Sequence, residues 1–465
     1  MPADLHTHRH AFESLGARRR EGLMLLGRRS MLKAGLAGMA GLSVPRLLRF
    51  HSQALAAGQT AKRRKSVILL WMAGGPSHID MLDVKPDAPS EIRGPFSSIQ
   101  TRLPGVRLCE HLPKMAAMLD KLTIIRSVDA LGSNHQPNTV LQTGNRAAAP
   151  RINREGDKYP AIASVVSRFR GPNDPGMPPY VALNVRDKTH FAWGGFLGKQ
   201  YDPFVGDNVG RLFDLPKSLD VPRLRQRQSL RTQLDALRRD LDLSGSMDAL
   251  DRFEQQAIEM VAGKRAQQVF DLSKEPEAVR QRYGKHDWCQ KALLARRLVQ
   301  AGVNFVTLDL SNHRNSGTWD THGDNIPPYG GITHGLGPLL PVFDHLITTL
   351  VSDLDERGLL DDVLVMAMGE FGRTPRMGTQ GSTDGRNHWP YVMSMTLAGG
   401  GLRHGQVIGA SERDGGHIKD RPVTPGDLAA TIYHHFGIPL DTTYLDFRGR
   451  PRYIVLNGQP IRELV

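Results

Sequence analysis

Carboxylates and imidazoles recur in this chain in short, glycine-rich stretches that border apolar runs. Gly74-Gly75-Pro76-Ser77-His78-Ile79-Asp80, then Asp83, follows the run 67–73. Trp319-Asp320-Thr321-His322-Gly323-Asp324 follows 303–310, and Gly369-Glu370-Phe371-Gly372-Arg373-Thr374-Pro375 follows 363–368. Asp384-Gly385-Arg386-Asn387-His388-Trp389-Pro390 stands before 391–397. Carboxylates that neutralise a cation, together with imidazoles that add affinity and fix geometry, are what a zinc- or manganese-like site requires. Asp80, Asp320, His322, Asp324, Glu370, Asp384 and His388 are therefore the candidate metal ligands. Each stretch alone has a plainer reading. Asp-x-His in a glycine-rich loop is an ordinary Asx-capped turn. Glu370 is a natural ion-pair partner for Arg373, and His388 beside Trp389 suits a core histidine. The shared placement at strand ends is what points to one metal site.

The apolar runs must supply the elements that bring these stretches together. A short apolar run without alternation suits a strand buried on both faces, as in a parallel sheet. Further strands are expected at 122–126 and 180–184. A helix is expected over 339–354, with Val342, Phe343, Leu346, Ile347, Leu350 and Leu354 on one face and Gly358 as its stop. Another covers 291–300, closed by Gly302 and leading into the strand at 303. Alternating strands and helices imply an α/β fold, a mostly parallel central sheet with helices on both faces. Ligands then bind outside the carboxyl ends of the strands. The polar, charged segment 216–284 has helical periodicity (Leu230, Leu234, Leu237, Leu241) and reads as a helical insertion or cap, or as a helical hairpin that fills a flank of the core.

At 465 residues, 40% hydrophobic and 23% charged, the chain is long enough for one large α/β domain with insertions. Two cysteines, Cys109 and Cys289, exclude a disulfide framework and a Cys-rich zinc site, and leave open whether they pair. The net charge is +13; residues 1–57 hold nine Lys/Arg against three Asp/Glu, so the remainder carries +7. No basic stripe with interleaved aromatics appears, which argues against nucleic acid as a partner. Gly27-Arg28-Arg29-Ser30-Met31-Leu32-Lys33, a weakly apolar stretch over 34–44 and Ala54-Leu55-Ala56 have the layout of an export signal with paired arginines, spanning 1–56. Its apolar part is about half the roughly 20 residues that a spanning helix needs, so no stable transmembrane anchor is expected. Such a signal passes folded protein through the twin-arginine export machinery to the periplasm or the exterior.

These residues carry a resemblance. The four stretches above, with Leu293-Leu294-Ala295-Arg296-Arg297-Leu298 and Thr424-Pro425-Gly426-Asp427-Leu428, resemble domain-of-unknown-function family 1501, twin-arginine-exported proteins grouped with the alkaline phosphatase and sulfatase superfamily. The similarity runs from about Lys65 to the carboxyl terminus. It implies an alkaline-phosphatase-like domain over 65–465 and one or two divalent ions (zinc, manganese or calcium). By position Asp80 matches the first ligand, Asp320 with His322 or Asp324 the spaced pair, Glu370 a later acid and His388 the late histidine; Phe371 stands where a histidine is common. For the nucleophile, Ser133-Asn134-His135-Gln136-Pro137-Asn138-Thr139 and Leu141-Gln142-Thr143-Gly144 are similar to the sulfatase signature, with His135 where its cysteine would be, so no formylglycine can form. His135, Ser133, Thr139 and Ser77 are the candidates, with metal-activated water as the other route. Arg373 suits oxyanion binding by a charge-assisted fork. The implied activity is hydrolysis of a phosphate or sulfate ester on an anionic small molecule or polysaccharide. The alternative is an exported surface or carbohydrate-binding protein that keeps the fold without turnover.

Overall fold

The computed structural model describes residues 64–135, 139–206, 265–314, 316–323, 325, 327–378 and 381–465. The expected export signal (1–56), most of the expected helical insertion (216–264) and Asp324 lie outside the described residues.

The unbroken apolar runs form the centre of the sheet. β1 (Ser66–Trp71) and β6 (Val363–Met368) are buried at every position, which is why they lack a polar alternation. The other strands are β2 (Leu122–Val128), β3 (Tyr180–Leu183), β4 (Phe204–Val205), β5 (Phe305–Asp309), β7 (Met393–Gly399) and β8 (Gln406–Ile408). They form one sheet in the order β8-β2-β7-β6-β1-β5-β3-β4. All neighbours are parallel except β7, which runs antiparallel to both β6 and β2. Trp71 lies level with Asp309 on one side and Met368 on the other, so three central strands end on one line.

Alternate residues of β1 feed two cores. Ile68 and Leu70 pack with Leu293 and Leu298 of α4 (Asp287–Ala301) and Leu346 and Leu350 of α5 (Gly337–Glu356). Val67, Leu69 and Trp71 pack with Val165 of α2 (Ile162–Arg170) and Ile432 of α6 (Pro425–Phe436). Each such side chain fully removed from water contributes about 1.5–3 kcal/mol. α5 is long and apolar enough to cross a membrane by composition, but Leu346, Ile347, Leu350 and Leu354 are buried in the core. The Thr-Pro-Gly-Asp motif is a capping box: Thr424 Oγ1 accepts from the Asp427 N–H, and Asp427 Oδ2 accepts from the Thr424 N–H at 2.9 Å.

The last part of the 216–284 segment is described. Arg265–Phe270 and α3 (Glu277–Tyr283) pack on α4, where the buried Tyr283 hydroxyl donates to Asp353 of α5. This part fills a flank of the core. α1 (Pro113–Ala117) also packs against α5, with Asp344 accepting from the backbone N–H of Lys114 and Met115. The strand expected at 391–397 is displaced to Met393–Gly399, leaving Tyr391 exposed. The edge strands β4 and β8 were not expected; at two and three residues they carry no periodicity to read. Cys109 and Cys289 are both free, and burial pushes their thiols up to about 12 and about 11.

Candidate metal centre

The loops that follow β1, β2, β5 and β6 share one edge of the sheet. Because β7 is antiparallel, the residues before it reach that same edge. Local packing fixes each loop. Trp319 is fully buried, donates through its indole N–H to Leu310 O at 2.7 Å and stacks on Trp288, which pins the loop carrying Asp320 and His322. Gly74 has φ +120°, and a Cβ there would lie 2.3 Å from the Asp320 nitrogen, so only glycine lets the two loops touch. The two-residue pairing of Gly372–Arg373 with His388–Trp389 sets His388 opposite Arg373.

Four ligand atoms converge there. Those of His135, Asp320, His322 and His388 all lie within 4.8 Å of one another. His135 Nε2 is 2.6 Å from His388 Nε2 and 3.1 Å from Asp320 Oδ2. His322 Nδ1 is 2.6 Å from Asp320 Oδ1. Glu370 stands behind His135, its Oε1 2.8 Å from His135 Nδ1 and accepting the Gly74 N–H at 2.9 Å. Phe371 contributes an apolar wall, its ring 4.9 Å from that of His135 and 4.8 Å from that of His388.

The charge states differ sharply among neighbours. Burial works against the Asp320 carboxylate, but the Arg373 charge and the close imidazoles of His135 and His322 hold its pKa well below the usual range. Burial likewise opposes His135, yet the neighbouring Asp320 and Glu370 carboxylates outweigh it and hold the imidazole up. His388 is pushed down to about 2 by burial and then by the Arg373 charge. Two ring nitrogens 2.6 Å apart need one proton between them.

The donor set fits a divalent cation. Asp320 Oδ2, Glu370 Oε2 and His322 Nδ1 are buried and make no hydrogen bond among the described residues. Three imidazoles and a carboxylate around one point suit zinc or manganese. A cation would replace the shared proton between His135 and His388 and satisfy the bare oxygen of Asp320.

The remaining candidates are placed elsewhere. The Asp80 carboxylate is clamped by Arg386, Nε to Oδ2 at 2.7 Å and Nη2 to Oδ1 at 3.1 Å, with both side chains fully buried. Ser77 Oγ donates to Asp80 Oδ2, and Thr139 Oγ1 donates to Ala148 O, so neither hydroxyl belongs to the cluster. Asp384 accepts from the N–H and hydroxyl of Thr333 and caps that turn. Arg373 is fully buried: it donates to Gly75 O at 2.8 Å, Arg386 O at 3.1 Å, Asp320 Oδ1 at 2.8 Å and Gly74 O. Four of its five N–H donors are thus committed and the side chain is fully buried, so it offers no open fork to a substrate oxyanion. The reason is common to these cases: a glycine-rich loop buries its charges, and buried charges pair with one another before they meet a ligand.

Beside the cluster lies a cavity of about 420 Å³, lined by His135, His388, Ser133, Asn134, Arg151, Ser316, Phe371 and Pro390. Arg151 and Ser316 had no sequence signal, since each stands in a loop without a motif around it.

Residues 64–465 match the family described as protein of unknown function (DUF1501), and the chain belongs to that family. No curated protein matches the sequence. Among solved structures, the chain is similar to the PsFucS1 sulfatase from Pseudoalteromonas sp. at 12% identity and a TM-score of 0.37, covering 83% of this chain and 70% of that one. It is similar to the phosphonate monoester hydrolase SpPMH from Silicibacter pomeroyi at 13% identity and a TM-score of 0.37, covering 85% and 75%.

Proposed function

We propose that this member of the DUF1501 family is an exported, divalent-metal-dependent hydrolase of phosphate or sulfate esters. The observation that carries the reading is the convergence of His135, Asp320, His322 and His388 within 4.8 Å beside an open cavity. Export rests on the Arg28-Arg29 motif and the small-residue site at Ala54-Leu55-Ala56. When bound, a divalent ion supplies Lewis acidity, polarising the ester oxygen and offsetting developing negative charge. These four residues would hold one such ion.

The rest of the work falls to the chain. Glu370 accepts from His135 Nδ1 and so orients the ring and fixes its tautomer. Arg373 fixes the Asp320 carboxylate by one direct bond and braces the Gly74-Gly75 turn behind it. Phe371 and Pro390 keep part of the cavity wall apolar and limit water. Ser133 lines the cavity and its Oγ has no hydrogen-bond partner among the described residues, so it is the hydroxyl left as nucleophile; on forming its bond to phosphorus or sulfur its proton would pass to water and the ester's alcohol would leave. Ser77 and Thr139 are committed to structural bonds.

Metal analysis of the exported protein, beside the Asp320→Ala and His388→Ala variants, tests the reading. The expected result is one equivalent of zinc, manganese or calcium in the native protein and its loss from both variants. p-Nitrophenyl phosphate and p-nitrophenyl sulfate would then report turnover, and Ser133→Ala would lower it. A native protein that neither holds nor takes up metal overturns the hydrolase and leaves an exported binding protein with this fold.

A further inference from the structure

We infer that Arg151 is the residue that binds the substrate's anionic group, and that the group is a tetrahedral oxyanion. This rests on the hydrolase reading above and assigns the role that Arg373 cannot fill. Arg151 lines the cavity together with His135 and His388, on a loop whose other arginines do not. It is exposed, and no carboxylate pairs with it among the described residues. Arg146, five positions earlier, is tied to Asp129. Among the described residues no other lysine or arginine lines this cavity.

The rest of the lining suits the same ligand. The Asn134 side-chain oxygen already accepts the His135 N–H at 2.8 Å, which leaves its NH2 as a donor. Ser316 adds a hydroxyl. A guanidinium fork with several neutral donors matches the oxygens of a phosphate or sulfate group, whereas a neutral ester would leave the Arg151 charge unanswered. Phe371 and Pro390 face the organic part. Negative charge on the ester is thus shared between the metal cluster and Arg151, which line one cavity.

Calorimetric titration of inorganic sulfate and inorganic phosphate into the zinc-loaded full-length protein tests this, with Arg151→Ala, Arg151→Lys and Arg154→Ala compared. Arg154 is a neighbouring arginine that does not line the cavity. The expected result is a loss of about tenfold or more in anion affinity for Arg151→Ala, a smaller loss for Arg151→Lys and none for Arg154→Ala, with equal zinc content in all four proteins. Arg151→Ala binding both anions as tightly as the wild type overturns the inference. So does an equal loss in Arg154→Ala, which would mark a diffuse basic surface, and so does a wild type that binds neither anion. If the wild type takes up no zinc, the hydrolase reading fails separately, and the same titrations on metal-free protein still decide the role of Arg151.

Discussion

Replacing Arg373 separates the two roles open to it. The side chain is fully buried and its guanidinium is taken up by Gly74 O, Gly75 O, Arg386 O and Asp320 Oδ1. In Arg373→Met the methylene stem is largely kept, but the Asp320 carboxylate stays buried without its fixed cation. Breaking a buried pair from one side costs about 3–5 kcal/mol. The three carbonyls that lose their donor add to that, at up to roughly 1–3 kcal/mol each where no water reaches them. A domain has only about 5–15 kcal/mol in total, so Arg373→Met is expected to sit at the edge of folding in urea melts without metal. Zinc would stabilise it more than it stabilises the wild type, because an ion in the cluster gives Asp320 back a positive partner. Arg373→Lys keeps the charge, loses the fork and falls between the two; it keeps the test usable if the methionine variant does not accumulate. The reasoning is refuted if Arg373→Met unfolds at the wild-type urea midpoint while its affinity for sulfate drops tenfold. That pattern would make Arg373 an anion-binding residue and the buried-strut geometry irrelevant.

Two further outcomes are expected. Asp80→Asn removes the counter-charge of the fully buried Arg386 and should cost about 3–5 kcal/mol in urea melts while leaving metal content unchanged; a stable variant that loses its metal would make Asp80 a ligand after all. Burial, with the Lys65 charge beside it, pushes His435 down to about 4 although Ser66 O and Gly400 O pull the other way, so the folded protein resists protonation that the unfolded chain accepts below about 6.5. The stability held by the neutral ring is present above pH 6.5 and lost as pH falls towards 4, on the order of 2–3 kcal/mol by pH 4.5. His435→Gln should flatten that part of the pH profile relative to the wild type, and an unchanged slope would refute the assignment.

The fold was legible wherever burial erases polarity. Both runs at 67–73 and 363–368 appear as strands because a parallel strand covered on two faces has no reason to alternate. α5 was legible from its apolar stripe. What escaped was short or set by partners far away. β8 exists because it pairs with β2, with Val407 set against Ile124, and its own three residues say nothing. The antiparallel course of β7 is a fact of topology, yet it is what delivers His388 to the same edge as Asp320.

In the candidate site, residue type was a better guide than residue role. Asp80 and Asp320 look alike in sequence: each is a carboxylate near a histidine in a glycine-rich loop after a buried strand. The difference lies in which arginine reaches them. Arg386 approaches Asp80 with Nε and Nη2 and engages both of its oxygens. Arg373 approaches Asp320 with Nη2 alone and leaves Oδ2 bare beside His135. One carboxylate is therefore a closed structural pair, and the other is half open to a cation. No spacing rule records that contrast, because it depends on how a two-residue hairpin turns Arg373 and Arg386 relative to each other. The same geometry explains why the arginine in the motif is a strut and the one without a motif faces the cavity. A guanidinium flanked by buried glycine carbonyls is drawn into them, whereas Arg151 has no carboxylate partner among the described residues and stays at the cavity wall, where an anionic ligand would be its partner.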